Sequence, residues 1–280
     1  MVLKPKRAWV RQALAPDRGL VGRLLDESQA RGEFVVSIDH LARAGKLTPL
    51  AVHRQLERLG SRVARLPGRP SAYLVVPPEH RVRGAPPVAA WLDAYFRHRG
   101  QPYYLGLLSA AALHGSSSQA VQVTQVLTTE PMRPADIGRL HLDFYVKSSL
   151  PQTPLTTFVG MPAPLAVSSP EATALDLVAF SHRIGGIRRI AEMISELKST
   201  MTLAGLRAAL RAEPQIAVRQ RLGFMLTVLG MERMAEEARR SLPDRLAVAP
   251  LQTRTGGNVS GVVHRPWMVL DNIRLASDWT

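Results

Sequence analysis

The stretch TPLAVHRQLERLGSRVARLPGRPSAYLVV, residues 48–76, decides the fold of the first part of the chain. It opens with Thr48, whose side chain can cap a helix, followed by a proline at the first helical position, where a missing N–H has no cost. Val52, Leu56 and Leu59 then recur at the spacing of one helical face. The first half of the stretch therefore predicts an amphipathic helix.

The second half of the stretch predicts a β-hairpin. Residues 62–66 and 71–76 have strand-forming composition, and the four residues between them, Pro67-Gly68-Arg69-Pro70, are typical of a turn. Such a hairpin places Arg65 on a strand and Arg69 at the tip.

The preceding residues predict the rest of a small domain. Residues 17–31 have the apolar periodicity of a helix that ends at Gly32, and residues 34–36 form a short β-like run. Ser37 can cap a second helix, which ends at Gly45. Helix, short strand, helix, turn, helix and hairpin follow one another in a winged helix–turn–helix domain, which we predict over residues 1–78.

The outward face of the third helix carries side chains that suit the major groove of DNA. Arginine can bind guanine through two hydrogen bonds, glutamine can pair with adenine, and alanine can contact a thymine methyl group. The arginines of the hairpin can contact a phosphate or enter the minor groove. The predicted DNA-binding residues are Thr48, Ala51, His53, Arg54, Gln55, Arg58, Arg65 and Arg69. A merely solvated face, or a winged helix that binds protein, is the alternative.

The charge of the chain is concentrated at its front. The 280 residues include 36 Lys and Arg against 22 Asp and Glu, a net charge of +14. Residues 1–85 hold 16 basic and 7 acidic residues, a net of +9, whereas residues 86–280 hold 20 and 15, a net of +5. A basic domain on a milder one is typical of a protein that binds nucleic acid, although a basic surface can also serve solubility alone.

Composition excludes several classes of site. The chain has no cysteine, which rules out disulfides, thiolate metal sites and cysteine nucleophiles. Aromatic residues make up only 5%, which disfavours a platform for stacked single-stranded nucleic acid. Neither a signal peptide nor an apolar stretch long enough for a bilayer is found, so we expect a soluble cytoplasmic protein that has no membrane partner. No histidine pair has metal-ligand spacing, and neither a metal nor a cofactor is expected.

The second part of the chain predicts an α+β domain. Two proline pairs, at residues 77–78 and 86–87, bracket the polar residues 79–85, and we predict a linker over residues 79–87. In the following domain, residues 88–280, we expect a mixed sheet packed by helices. The predicted elements are helices at 88–100 and 103–114, strands at 121–127, 140–146, 155–159 and 165–167, helices from 169 to 241 with breaks near 185, 201 and 214, and β-like pieces at 246–252 and 262–270.

The acidic residues of this domain do not form an evident active site. Glu171 and Asp176 follow a Ser-Pro helix start and lie on different helical faces, so structural roles are expected, with a backbone N–H or an arginine as the partner of Asp176. Asp143 and Lys147 resemble part of a nuclease motif but lack its second acidic residue. Gly185-Gly186 is more typical of a connector than of a phosphate site. We therefore predict no enzymatic activity; a nucleic-acid-processing enzyme that uses Asp143 or Glu171 is the minor alternative.

Two further stretches resemble a known family. YYLGLLSAAALHG (residues 103–115), followed by Gln122-Val123, and VSSPEATALDL (residues 167–177), with Gly185-Gly186 downstream, are similar to the antitoxin domain of the AbiEi family. Members of this family pair that domain with an N-terminal winged helix. The resemblance spans roughly residues 5–200.

The resemblance implies a type IV antitoxin. Such a protein binds inverted repeats of double-stranded DNA in its own promoter as an autorepressor, and it neutralises a nucleotidyltransferase-like toxin encoded beside it. The family does not require a stable complex with the toxin, and the oligomeric state is left open. A stand-alone winged-helix regulator with a ligand-sensing or dimerising second domain is the alternative.

The late helices supply candidates for the neutralising surface. Arg207, Arg211, Arg219 and Arg221 lie on faces that are expected to be exposed. An ordinary solvated face is the plain interpretation. The sharper interpretation is a basic surface that competes for the nucleotide or RNA substrate of the toxin.

Overall fold

The helix predicted after Thr48 is present as α3 (Pro49–Arg58) in a computed structural model that describes residues 19–68, 71–116, 123–158, 164–253 and 260–278. The Thr48 hydroxyl accepts a hydrogen bond from the Ala51 amide at 3.2 Å, which satisfies one of the unpaired donors of the first turn. Val52 and Leu56 are buried in one cluster with Val21 and Leu25. The predicted cap and apolar face are thus confirmed.

The other elements of the first region follow in the predicted order. Ser37 caps the second helix by accepting a hydrogen bond from the His40 amide at 3.1 Å. The elements are α1 (Leu20–Ala30), β1 (Val35–Ser37), α2 (Ile38–Gly45), β2 (Val63–Arg65) and β3 (Ala72–Val75). The three strands form an antiparallel sheet of order β1-β3-β2. Their assignment as a winged helix–turn–helix domain stays a prediction, and the expected helix start at Asp17 lies outside the described residues.

A six-stranded mixed sheet forms the centre of the rest of the chain, as expected of an α+β domain. Its strands are β4 (Tyr103–Leu105), β5 (Val123–Thr128), β6 (Ala135–Ile137), β7 (Leu140–Val146), β8 (Leu155–Thr157) and β9 (Ala166–Ser168). Their order is β6-β7-β5-β4-β9-β8; the pairs β5/β7 and β4/β9 are parallel and the others antiparallel.

The two faces of this sheet are covered by different elements. Tyr104, Leu127 and Tyr145 point into a helical layer. The longer helices of the second region, counting those on both faces of the sheet, are α4 (Leu92–Arg99), α5 (Leu107–Leu113), α6 (Pro170–Ala179), α7 (Gly186–Leu197), α8 (Leu203–Ala212), α9 (Ile216–Val228) and α10 (Glu232–Arg240). On the other face, Tyr103 and Val126 pack with residues of α4 and of the β2–β3 hairpin. Neighbouring residues of one strand thus serve opposite layers, as the pleat requires.

A small sheet closes the chain. Its strands β10 (Ala249–Pro250), β11 (Val262–His264) and β12 (Val269–Asp271) have the order β10-β12-β11 and precede α11 (Leu275–Asp278). Trp267 lies against Gly223 of α9, where a Cβ atom would be only 2.0 Å from the indole ring. The absent side chain of this glycine therefore makes room for the ring.

The C-terminal part of the segment predicted to be a linker packs onto the central sheet. Residues 78–83 are mostly exposed, but Ala85 and Pro86 are buried, and the Pro86 carbonyl accepts a hydrogen bond from the Trp91 indole N–H at 3.2 Å. Gly84 touches Gly138 in the β6–β7 turn so closely that a Cβ atom on either would be 2.6 Å from the other's Cα. The boundaries at residues 78 and 88 stay a prediction.

Several predicted elements differ from those observed. Residues 103–114 are not one helix, because Tyr103–Leu105 is a central strand of the sheet and the helix begins only at Leu107. The piece at 262–270 is two antiparallel strands, the piece at 246–252 contains only the short β10, and β6 was not predicted. Gln122 and the end of the strand at 155–159 lie outside the described residues. None of the helices in the part of the chain that the structure describes is long and apolar enough to cross a membrane.

Candidate nucleic-acid interface and arginine groove

Two arginines stand on the outward face of α3. Arg54 and Arg58 are both exposed, one helical turn apart. The Arg58 Nε donates a hydrogen bond to the Arg54 carbonyl at 3.2 Å. Among the described residues no side chain pairs with either guanidinium, so both groups can make charge-assisted hydrogen bonds to an incoming ligand.

Three other predicted contact residues lie at the start of this helix. Thr48 is exposed, but its hydroxyl already caps the helix. Ala51 is half-buried. His53 is 41% exposed, with its Nδ1 at 3.3 Å from a carboxylate oxygen of Glu57. These residues share the edge of the surface that carries the two arginines.

Gln55 has a different role from the predicted contact with adenine. Its Oε1 accepts a hydrogen bond from the Val21 amide at 3.1 Å, at the start of α1. Gly19, the N-cap residue of α1, offers no side chain for this purpose, so Gln55 caps α1 from outside. A bidentate contact with adenine would use the same carbonyl oxygen. The assignment of Gln55 to a base stays a prediction, and it competes with this capping role.

Leu50 is a surface residue that the sequence reasoning missed. It lies in the first turn of α3 and is 61% exposed, although large apolar side chains are usually covered. Leu50 precedes the buried Val52 by two residues and therefore lies off the apolar face of the helix. This spacing would have predicted its exposure from the sequence.

The β2–β3 hairpin is held against the second region beside α3. The Pro67 carbonyl, at the start of the hairpin tip, accepts a hydrogen bond from the Tyr95 hydroxyl of α4 at 2.6 Å. Arg65 is exposed on β2, whereas Arg69 lies outside the described residues. This hydrogen bond fixes the position of the hairpin tip relative to α4.

A buried charged cluster joins the central sheet to the helical layer. Asp176, fully buried on α6, accepts hydrogen bonds from the Tyr104 hydroxyl at 2.8 Å and from the Lys147 ammonium at 2.6 Å. A carboxylate oxygen of Glu213 lies 3.8 Å from the same ammonium. Burial raises the pKa of Asp176, of Glu213 and of the Tyr104 hydroxyl. The expected partner of Asp176, a backbone N–H or an arginine, is thus replaced by a lysine and a tyrosine.

The structure does not assemble the residues of the alternative enzyme hypothesis. Lys147 binds Asp176, whereas Asp143 has His141 as its partner, at 3.3 Å. Glu171 accepts hydrogen bonds from the Thr202 amide at 2.6 Å and from its hydroxyl at 3.1 Å, which joins α6 to the start of α8. The described residues contain no group of three or more His, Asp or Glu side chains arranged to hold a metal ion.

Three of the four predicted surface arginines come together in one groove between α8, α9 and α10, with a volume of about 270 Å³. We call this feature the arginine groove. Glu237 binds Arg207 through two bonds of 2.8 Å, which raises the pKa of the arginine and lowers that of the carboxyl. The groove is lined by Arg207, Leu210, Arg211, Arg219, Glu237, Arg240 and Ser241.

The fourth arginine lies elsewhere. The Arg221 Nε donates a hydrogen bond to the Pro250 carbonyl at 2.8 Å, and burial lowers the pKa of this guanidinium. Arg221 therefore joins α9 to the small C-terminal sheet and is not part of an open basic surface, contrary to the prediction. Arg219 is also half-buried, although it lines the groove.

Residues 104–228 match the family model described as the AbiEi antitoxin C-terminal domain. The chain carries an AbiEi antitoxin domain. The resemblance inferred from residues 103–115 and 167–177 is confirmed, and the domain supports an antitoxin role in a toxin–antitoxin system.

A solved structure shares the fold beyond the AbiEi domain. The RV2827C protein from Mycobacterium tuberculosis is similar to this chain with a TM-score of 0.64, over 93% of both chains and at 16% sequence identity. At that identity the similarity extends to the α+β fold alone. A comparison with curated proteins gives no match.

The AbiEi match locates both clusters of the second region. It begins at Tyr104 in β4 and ends with Val228, the last residue of α9. The buried Asp176 cluster lies within it, as do Arg207, Arg211 and Arg219. Helix α10, which adds Glu237 and Arg240 to the groove, follows the matched residues.

Proposed function

We propose that the chain is the antitoxin of a type IV toxin–antitoxin system that also represses its own promoter. The observation that carries this proposal is an AbiEi antitoxin domain preceded by a helix with two exposed arginines beside an anchored hairpin. The partners are double-stranded promoter DNA with inverted repeats and a nucleotidyltransferase-like toxin. The toxin is a functional partner, and a stable complex with it is not required.

DNA binding is assigned to α3 and the hairpin. Arg54 and Arg58 are exposed and in position to bind guanine edges, and Leu50 is in position to contact a thymine methyl group in the major groove. Thr48, Ala51 and His53 lie at the helix end that enters first, and Arg65 and Arg69 contact the flanking phosphates or the minor groove. The net charge of +9 over residues 1–85 supports this assignment.

Toxin neutralisation is assigned to the second region, residues 88–280. We place it at the arginine groove, since Arg207, Arg211 and Arg219 meet there, and we leave out Arg221 because a backbone carbonyl holds it. The surface acts by competing for the nucleotide or RNA substrate of the toxin. This mode of action requires no tight contact with the toxin itself.

Co-expression with the neighbouring gene tests the proposal. The full chain should restore growth of cells that express the toxin, and it should repress a reporter under its own promoter. A double variant, Arg54→Gln with Arg58→Gln, should lose repression and keep toxin rescue, because the two activities use different surfaces. Repression without any rescue by the wild-type chain would instead support the stand-alone regulator.

A further inference from the structure

We propose that the arginine groove is a binding site for the phosphate group of a nucleotide or of an RNA end. Its role in neutralisation rests on the proposed function, whereas phosphate binding itself rests only on the geometry. The groove collects guanidinium groups from three successive helices: Arg207 and Arg211 from α8, Arg219 from α9 and Arg240 from α10.

Two of these guanidinium groups are held in place by the protein. Arg207 is fixed by the two bonds to Glu237. Arg219 donates from Nε to the Glu213 carbonyl at 2.7 Å and from Nη1 to the Ser241 carbonyl at 2.9 Å. Because folding has already ordered these side chains, binding an anion costs less conformational entropy than it would with mobile arginines.

The positive charge of Arg211 is the one that no carboxylate of the described residues offsets. Arg211 is exposed, and it has no hydrogen-bond or ion-pair partner among the described residues. Arg240 is paired with Glu236 and lies 3.7 Å from Glu237. The lining of the groove contains four arginines and one carboxylate, Glu237, and this excess of positive charge favours a negatively charged ligand such as a phosphate group.

The groove is large enough for a phosphate group. Its volume of about 270 Å³ is close to the lower end of the range for small-molecule pockets, roughly 300–1,000 Å³. The exposed fork of Arg211 can bind two phosphate oxygens at once. Arg207 and Arg219, whose forks are already bonded within the protein, contribute positive charge.

The helix ends provide a competing structural explanation. Arg211 and Arg240 lie in the last turns of α8 and α10, where a positive charge interacts favourably with the helix dipole. That role would affect stability without producing saturable binding. The two explanations are therefore separated by measuring binding and unfolding in the same variants.

Calorimetric titration of the full chain with inorganic triphosphate at low ionic strength tests the site. The wild-type chain should bind one triphosphate per chain, and Arg211→Gln should bind about tenfold more weakly, as expected for one lost charge-assisted contact. Arg233→Gln, which removes an exposed arginine of α10 outside the groove, is the matched control and should bind like the wild type. Both variants should unfold at the wild-type midpoint.

Three results would overturn the site: no saturable binding by the wild-type chain, equal binding by Arg211→Gln, or an equal loss in Arg233→Gln. Nucleoside triphosphates and a short RNA with a 5′-phosphate form the further arms; the arm that binds more tightly than inorganic triphosphate identifies the source of the phosphate. Neither toxin nor promoter DNA takes part. A chain that binds triphosphate but fails to rescue cells therefore contradicts the proposed function and leaves the site intact.

Discussion

Asp176 shows how one residue joins the layers of the antitoxin domain. Its helix is buried almost all round, so the carboxylate cannot reach water. Lys147, at the end of β7, and Tyr104, in β4, satisfy it from the sheet below. An ion pair of this kind adds little net stability compared with apolar packing, but removing one partner leaves an uncompensated buried charge.

Replacing Lys147 with methionine should therefore strongly destabilise the folded protein. We expect Lys147→Met to lower the free energy of unfolding by about 3–5 kcal/mol at pH 7.5. Without the ammonium, the pKa of Asp176 rises further above its value in the unfolded chain, and so does that of Glu213, the other carboxyl that faces the lysine. The folded state then binds more protons than the unfolded state, so stability falls as the pH rises between the two pKa values. Urea unfolding should show a smaller loss at pH 5 than at pH 7.5.

The control is the double variant Lys147→Met with Asp176→Asn. Asparagine can still accept the hydrogen bond of the Tyr104 hydroxyl but carries no charge, so most of the lost stability and much of its pH dependence should be recovered. An equal loss for Lys147→Met at both pH values would contradict the assignment of a buried charged pair.

Local side-chain chemistry predicted the helix caps correctly, whereas the hydrophobic pattern did not separate every strand from a helix. Thr48 and Ser37 were predicted as helix caps because a cap is set by neighbours in sequence. Residues 103–105, by contrast, form a continuous apolar run, and such a run is the same for a buried strand and a buried helix. Only the pairing with β5 and β9 decides between the two, and that pairing is not visible in one segment.

The same distinction applies to the candidate sites. Arg54 and Arg58 follow from the helical spacing of α3, and the structure leaves both exposed as expected. The roles of Gln55 and Arg221 could not be predicted, since their partners, the Val21 amide and the Pro250 carbonyl, are 34 and 29 residues away in sequence. Tertiary contacts of this length decide which polar side chains remain available to a ligand.

The contact between Gly84 and Gly138 provides a test of how the proline-flanked segment packs. Gly138 has φ +59°, and a Cβ atom there would be 2.2 Å from the Arg83 carbonyl oxygen. Gly60 has φ +51° but no atom within 4 Å of its Cβ position, so it is a matched control for the backbone strain alone. We expect Gly60→Ala to cost about 1–2 kcal/mol and Gly138→Ala at least about twice as much in urea unfolding. Equal losses would mean that the two glycines are not in close contact in solution.

At the scale of the whole molecule, the hairpin links the two regions. Leu66 and Leu74, on either side of its tip, lie in the same buried cluster as Trp91 and Phe144. The Tyr95 hydroxyl holds the Pro67 carbonyl in addition. The sheet that follows α3 in the chain is thus packed against the second region. The arginine groove is formed by other helices, α8, α9 and α10.

This arrangement predicts how DNA affinity depends on salt. If one chain neutralises about five phosphates, log K should fall with log salt concentration at a slope near −4 to −5. If Arg65 contacts a phosphate, as proposed, Arg65→Gln should reduce the slope by about one and leave sequence preference unchanged. Arg54→Gln should instead lower the preference for the promoter over unrelated DNA.

The affinity of the full chain for a fragment of its own promoter, measured at one fixed salt concentration, tests whether α3 reads DNA. The wild-type chain should prefer this fragment to unrelated DNA, and the Arg54→Gln, Arg58→Gln double variant should lose that preference, while Arg233→Gln keeps it. Equal promoter affinity in the wild type and the double variant would show that α3 does not read DNA.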